Sequence, residues 1–309
     1  MVNAESTEHT PVVHLEIAAF SILLKGIEVQ RLLEICPNYA PFTASQQYPQ
    51  LFKASLHAVD DLEPPNNVNK YEDLIEYLGY SIHICKNLQY FDISLTGTQT
   101  ECLAHIQATQ AFSHYHITFR HNHQTTSQVL NLAMMMCFTF SGLSHKLLLL
   151  HAAGIYLDNR CCLLLGKSGT GKSTHAQLWL KHVPGSKLLT DDCTALRIMA
   201  DQTIQVYSTP WNAAVPCTSN TSCKLQAFVR LKQAPTNAIS RLTPIQAFAS
   251  LLSVCARLSD YPATSSVCEQ TLEVLATRTS HFKLHCLPNK TAVKCCRQAV
   301  FTSQQSNIP

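Results

Sequence analysis

A chain of 309 residues has room for one large domain or two ordinary ones, with a sizeable buried core. Apolar residues make up 46% and charged residues 14%, which excludes an intrinsically disordered chain. A formal net charge of +3, with no Lys/Arg-dense block, excludes the electrostatic footprint of a nucleic-acid binder.

The start, Met1-Val2-Asn3-Ala4-Glu5-Ser6, lacks the basic opening and apolar run of a secretory signal. The apolar stretches at 133–140 and 147–153 fall well short of the roughly 18 residues that a membrane span needs. The expectation is a cytoplasmic protein with neither membrane nor nucleic acid as a partner. Its fourteen cysteines form no CxxC pair, and the doublets Cys161-Cys162 and Cys295-Cys296 are poorly placed to chelate one metal. They are expected to be reduced thiols acting as small apolar residues.

Along the chain, residues 1–125 read as a mainly β subdomain of unknown role, and no catalytic motif occurs there. Residues 12–24 form an apolar run with some alternation, 90–95 another, and 114–120 (HYHITFR) alternate well. A turn is expected at 63–67 (EPPNN). The second part, 126–309, opens with a buried helix capped by Ser127 and reaching Phe140. Strands at 146–157 and 161–165 flank a turn at Asp158-Asn159-Arg160, and a helix follows over 173–182. Short strands are predicted at 187–190, 195–198, 205–208 and 225–231. Thr243-Pro244 caps a helix running towards Ala256, and then come a helix at 265–277, a strand at 282–286 and a last helix after Pro288.

Between the strand at 161–165 and the next helix lies Gly166-Lys167-Ser168-Gly169-Thr170-Gly171-Lys172-Ser173-Thr174, which fits G-x-x-x-x-G-K-[ST]. A chain wrapped around a phosphate must point several backbone N–H groups inward, and glycine permits the conformations required. The helix beginning near Lys172 adds its positive end. Lys172 can reach the β- and γ-phosphates, and the Ser173 hydroxyl can ligate Mg²⁺. Such a pattern arises by chance in roughly one chain per hundred of this length. Here three of only nine glycines fall within six positions, between an apolar strand and a helix, which argues for a bound nucleoside triphosphate.

A Mg²⁺-nucleotide site needs a carboxylate for the metal, and a kinase needs a base for the acceptor hydroxyl. Asp191-Asp192 follows Lys172 by nineteen residues, enough for a helix, a turn and a short neighbouring strand whose end lies beside the loop. Adjacent side chains diverge there, so the two carboxylates can do different work. An exposed turn is the plainer alternative. His151 precedes Gly166 by fifteen residues across a hairpin; it either approaches the loop or is a hydrogen-bonded core histidine. His175 is expected on the helix surface.

The runs L-L-L-H-A-A-G-I at 148–155, G-K-S-G-T-G-K-S-T-H at 166–175 and L-L-T-D-D-C at 188–193, with Leu178-Trp179-Leu180, resemble HPr kinase/phosphorylase-like proteins. That family shares a nucleotide fold with phosphoenolpyruvate carboxykinases. The likeness continues through Thr209-Pro210-Trp211, V-R-L-K-Q-A-P at 229–235 and H-C-L-P at 285–288, and so spans roughly residues 127–300, closest to a short HPr-kinase-like bacterial branch. It implies an α/β (α+β) fold: a P-loop phosphoenolpyruvate carboxykinase/HPr-kinase-like core with a mainly β N-terminal subdomain. It also implies an ATP-dependent kinase acting on a hydroxyl of a protein, peptide or small molecule. Lys172 and Ser173 would hold phosphates and metal, with Asp191 as base and Asp192 as the metal-side carboxylate, an order that can be reversed. His151 matches a histidine of the family's core.

This chain departs from the family at Ala213-Ala214, where relatives carry Gly-Lys. Losing a cation there weakens charge stabilisation near the acceptor and favours the alternative of an ATP-binding sensor with little transfer. Arg230, Lys232 and Arg241 are candidates for a basic residue that serves the transition state, and each is equally readable as a solvated strand-end charge. A carboxykinase-like lyase would need further metal-binding and carboxylate-binding residues, which have no match here. A homo-oligomer is compatible with the sequence.

Overall fold

The computed structural model describes residues 10–63, 73–77, 80–86, 90–97, 101–121, 124–212, 217–256 and 262–301. The fold is mixed α/β, with two mixed sheets in two compact units, Met1–Ser141 and Gly142–Pro309. Among the described residues no helix is long and apolar enough to cross a membrane.

The first unit begins with β1 (Val12–Ile17) and β2 (Phe20–Lys25), an antiparallel hairpin, then α1 (Val29–Ile35) and a 3-10 turn at Pro37–Phe42. Next come β3 (Gln50–Val59), β4 (Asp73–Tyr77), β5 (Tyr80–Lys86), β6 (Tyr90–Thr96), β7 (Cys102–Thr109) and β8 (His114–Arg120), followed by α2 (Thr126–Leu143). The sheet order is β1-β2-β3-β8-β7-β6-β5-β4; the pairs β2–β3 and β3–β8 are parallel. The single run expected at 12–24 is therefore two strands. Ala18 and Ala19, at φ 54° and 57°, make the turn between them. That conformation normally selects Asn and Gly, so two alanines give no sequence signal for a turn. The turn expected at 63–67 lies outside the described residues from residue 64 onward.

Alternation decides the faces of this sheet. Tyr115, Ile117 and Phe119 of β8 are buried. The Tyr115 hydroxyl donates to the Cys137 carbonyl (3.1 Å) and bonds Ser141 Oγ (2.8 Å), which holds α2 over that face. His57, His114 and His116 are exposed on the other face.

The second unit comprises β9 (Leu147–Leu157), β10 (Arg160–Leu165), α3 (Lys172–His182), β11 (Lys187–Thr190), β12 (Cys193–Ile198), β13 (Ile204–Tyr207), β14 (Ser222–Gln233), β15 (Ala238–Arg241), α4 (Pro244–Leu252), α5 (Pro262–Arg278), β16 (His281–Cys286) and α6 (Lys290–Phe301). The long strand β9 pairs with β12 through Leu147 to His151 and with β10 through Ala152 to Leu157. In turn β14 runs parallel to β10 and β16 and antiparallel to β13, which pairs with β12. The pairings β9–β10–β14–β13–β12–β9 thus close a circuit.

Strand β10 is covered on both sides, which accounts for its unbroken apolar sequence. Cys161, Leu163 and Leu165 point into a core shared with Leu251 of α4 and Leu272 of α5. Cys162 and Leu164 point into another, with Trp179 of α3 and Val293 of α6. The helix α4 opens with a capping box, Gln246 N–H donating to Thr243 Oγ1 and Thr243 N–H to Gln246 Oε1. It stops at Leu252 rather than running to Ala256, because the following residues pair with β9: His151 N–H donates to Val254 O (2.7 Å) and Ala256 N–H to Leu149 O (2.9 Å).

Candidate functional site

Strand register brings four separated stretches to one level. Leu165, the last residue of β10, pairs with Ala152, so the glycine-rich loop begins beside His151. Across β9, Cys193 pairs with His151, and Asp192 O accepts from Ala152 N–H (2.9 Å). Asp191-Asp192 is the two-residue link between β11 and β12, both of which pair with β9. The expected geometry placed the strand before these aspartates next to β10. Instead β9 lies between them, because the 147–157 run is long enough to serve neighbours on both edges.

The loop itself is a tight turn followed by a helix start. Thr170 donates twice to Lys167 O, from N–H (3.2 Å) and from Oγ1 (2.6 Å). Gly169 and Gly171 lie at φ 75° and 100°, where a side chain is strained, and a Cβ on either would meet nothing within 4 Å. The space beside Gly169 and Gly171 is therefore open. Lys167, Ser168, Ser173 and Thr174 are exposed around it, whereas Gly166 is buried.

Lys172 turns back into this loop instead of outward. Its Nζ donates to Gly166 O (3.0 Å) and Lys167 O (3.4 Å) and lies 2.8 Å from His151 Nε2. An ammonium has only protons to give, so Nε2 accepts and the ring proton sits on Nδ1, which donates to Asp192 Oδ1 at 2.6 Å. The result is a chain, Lys172–His151–Asp192. Burial lowers the Lys172 pKa, and the charges of Asp192 and Asp191 oppose that shift.

Asp191 is buried, and one carboxylate oxygen, Oδ1, has no partner. Burial raises its pKa, a hydrogen bond from the Ser173 side chain lowers it, and the neighbouring Asp192 raises it further. Its backbone N–H donates to Asn212 Oδ1 (3.1 Å), while Asn212 Nδ2 donates to Thr209 O (2.7 Å). Thr209 Oγ1 in turn donates to Cys193 O (2.7 Å). Asn212 was not among the expected site residues; its place just after Thr209-Pro210-Trp211 was the available signal.

Two expectations change. His175 is not on the surface: it is 3% exposed, and neither ring nitrogen has a partner. It shares the buried stripe of α3 with Lys172, Ala176 and Trp179, a spacing that a polar residue type disguises. Arg230 is committed elsewhere, its Nη1 donating to Ser253 Oγ (2.6 Å) and Ser250 O (3.2 Å) near the end of α4. Arg241 lies over the Phe282 ring, 5.4 Å from its centroid, while Lys232 is exposed. The departure at Ala213-Ala214 lies outside the described residues.

No protein-family model matches the chain, and no curated protein sequence matches it. Among solved structures, the HPr(Ser) kinase/phosphatase from Coxiella burnetii is similar at 10% identity and a TM-score of 0.31, over 49% of this chain and 95% of that one. A likeness of that size carries no argument about activity, and the site must be read from its own residues.

Proposed function

We propose that the second unit is an ATP-dependent kinase domain that transfers the γ-phosphate to a hydroxyl of a protein, peptide or small molecule. One observation supports the reading: Lys172 Nζ lies 2.8 Å from His151 Nε2, His151 Nδ1 lies 2.6 Å from Asp192 Oδ1, and Asp191 adjoins Asp192 in the link between β11 and β12. The residues suit a triphosphate with its Mg²⁺. A Cβ on Gly169 or Gly171 would project into open space, and Asp191 holds an unpartnered buried oxygen beside Ser173. Residues 166–174 would cradle the phosphates, and Ser173 and Asp192 would hold the metal. Mg²⁺-ATP bound there supplies the phosphoryl group and the cationic charge that neutralises it.

Each residue of the chain then has defined work. Lys172 exchanges two loop carbonyls for phosphate oxygens, a stronger charge-assisted bond, and thereby releases His151 Nε2. Asp191 accepts the proton of the acceptor hydroxyl; its raised pKa makes it a better base than an ordinary carboxylate. His151 keeps Asp192 oriented through Nδ1–H, as partners behind a metal-binding carboxylate do.

The Ser173–Asp191 contact favours a second arrangement, with Asp191 on the metal side and Asp192, bound to His151, as base. Incubation with γ-labelled ATP, Mg²⁺ and cell extract tests both. Transfer to an acceptor, lost in Asp191→Asn with Mg²⁺ affinity unchanged, supports the first arrangement. The same loss in Asp192→Asn alone supports the second. Tight ATP binding without transfer above background overturns the kinase reading in favour of a nucleotide-dependent sensor.

A further inference from the structure

We propose that the opposite end of β10 is a separate anion site that takes the phosphate group of a small phosphate monoester. A cavity of about 330 Å³ opens there, between the β9–β10 turn and α6. That volume matches the small end of ligand pockets. Leu157 and Phe301 give it apolar walls, and Arg160, Lys294 and Arg297 line it with three cations against one carboxylate, Asp158.

The cations are placed by the fold. Lys294 and Arg297 stand three residues apart on α6, hence on one face. Arg160 starts β10, with its guanidinium carbon 5.3 Å from the Phe301 ring centroid. A guanidinium held over a ring keeps its N–H groups available to bind. Among the described residues, none of the three forms an ion pair.

Like charges gathered in a concave site repel one another until an anion enters. Two guanidiniums and an ammonium suit a dianionic phosphate, whose oxygens accept paired N–H donors. The site differs from the glycine-rich loop in kind: it has one carboxylate and no glycine crest. The two lie at opposite ends of a six-residue strand, about 17 Å apart at the usual rise per residue. The proposal therefore stands independently of the kinase reading. Phe301 also packs on Trp179 (centroids 5.7 Å apart), giving an optical reporter.

The test is titration with phenyl phosphate, followed by calorimetry and Trp179 fluorescence, on wild type, Lys172→Ala, Lys294→Gln and Arg297→Gln. Equal affinity in wild type and Lys172→Ala, with about tenfold or greater weakening in each α6 variant, is expected. Phenol, which has the ring without the charge, should not bind. Binding lost in Lys172→Ala but kept in Arg297→Gln overturns the proposal, because the probe then sits in the glycine-rich loop. Equal binding of phenol, or no saturable binding to wild type, overturns it as well.

Discussion

The two units solve the same problem, an eight-stranded sheet, in opposite ways. In the first, β5 and β8 alternate buried with less buried positions, and histidines stand exposed on the face away from α2. In the second, β10 is buried from Cys161 to Leu165, with α3 and α6 contributing to one core and α4 and α5 to the other. A sheet covered on both faces leaves its chemistry only at strand ends, and there the loop, the Lys172–His151–Asp192 chain and Asp191 are found. A sheet with one open face spreads its polar groups over the strands, as with His57 and His116 on neighbouring strands and His105 and Gln107 beside Asp92.

The largest effect that would break this comparison is a core truncation. Trp179 is fully buried, so Trp179→Ala should cost about 3–5 kcal/mol in a denaturant melt. Truncating the exposed His116 to Ala should stay within about 0.5 kcal/mol. A large loss at His116 would mean that the polar face of the first unit is covered after all.

Next in size is Asp191→Asn. It removes a buried charge with an unpartnered oxygen, and should stabilise the ligand-free protein at pH 7 by about 1–2 kcal/mol while abolishing transfer. The pH dependence has a definite sign. The folded-state pKa is raised, so between 3.8 and that raised value the folded form binds more proton than the unfolded one. Wild type therefore gains stability as the pH falls through this window, and the advantage of Asp191→Asn shrinks with it. Melts at successive pH values read both effects; an advantage that grows on acidification contradicts the burial argument.

The smallest effect tests the first unit's hairpin. Ala19 at φ 57° is in a conformation that costs an L-residue about 1 kcal/mol, so Ala19→Gly should raise stability by up to that amount. An unchanged or lower melting midpoint would contradict the left-handed turn.

That hairpin also marks where sequence stops being legible. Glycines in the loop, the Asp158-Asn159 turn and the Thr243-Pro244 cap each have a backbone conformation that selects residue type, and they were readable for that reason. The Ala18-Ala19 turn is set by the strands on either side, so the residues do not announce it. The burial of His175 is set by what packs against α3, whereas its ring type argues for water, so the sequence does not signal it. The spacing of Asp191-Asp192 from Lys172 pointed to a link between strands beside the loop, and Asp191-Asp192 does join β11 to β12, with Asp192 bonded to His151. The link's true route, through both edges of β9, was not readable, because pairing order is a tertiary choice. Asn212 bonds only backbone groups, accepting from Asp191 N–H and donating to Thr209 O, so its place after Thr209-Pro210-Trp211 was the one signal it gave.

The central claim is that residues 166–174 hold a nucleoside triphosphate with Lys172 as the phosphate-binding cation. Calorimetric titration of Mg²⁺-ATP into wild type and Lys172→Ala tests it most directly. Saturable one-to-one binding to wild type, weakened at least about 100-fold (roughly 2.7 kcal/mol) in the variant, is the expected result. Equal affinity in the two proteins would contradict the account.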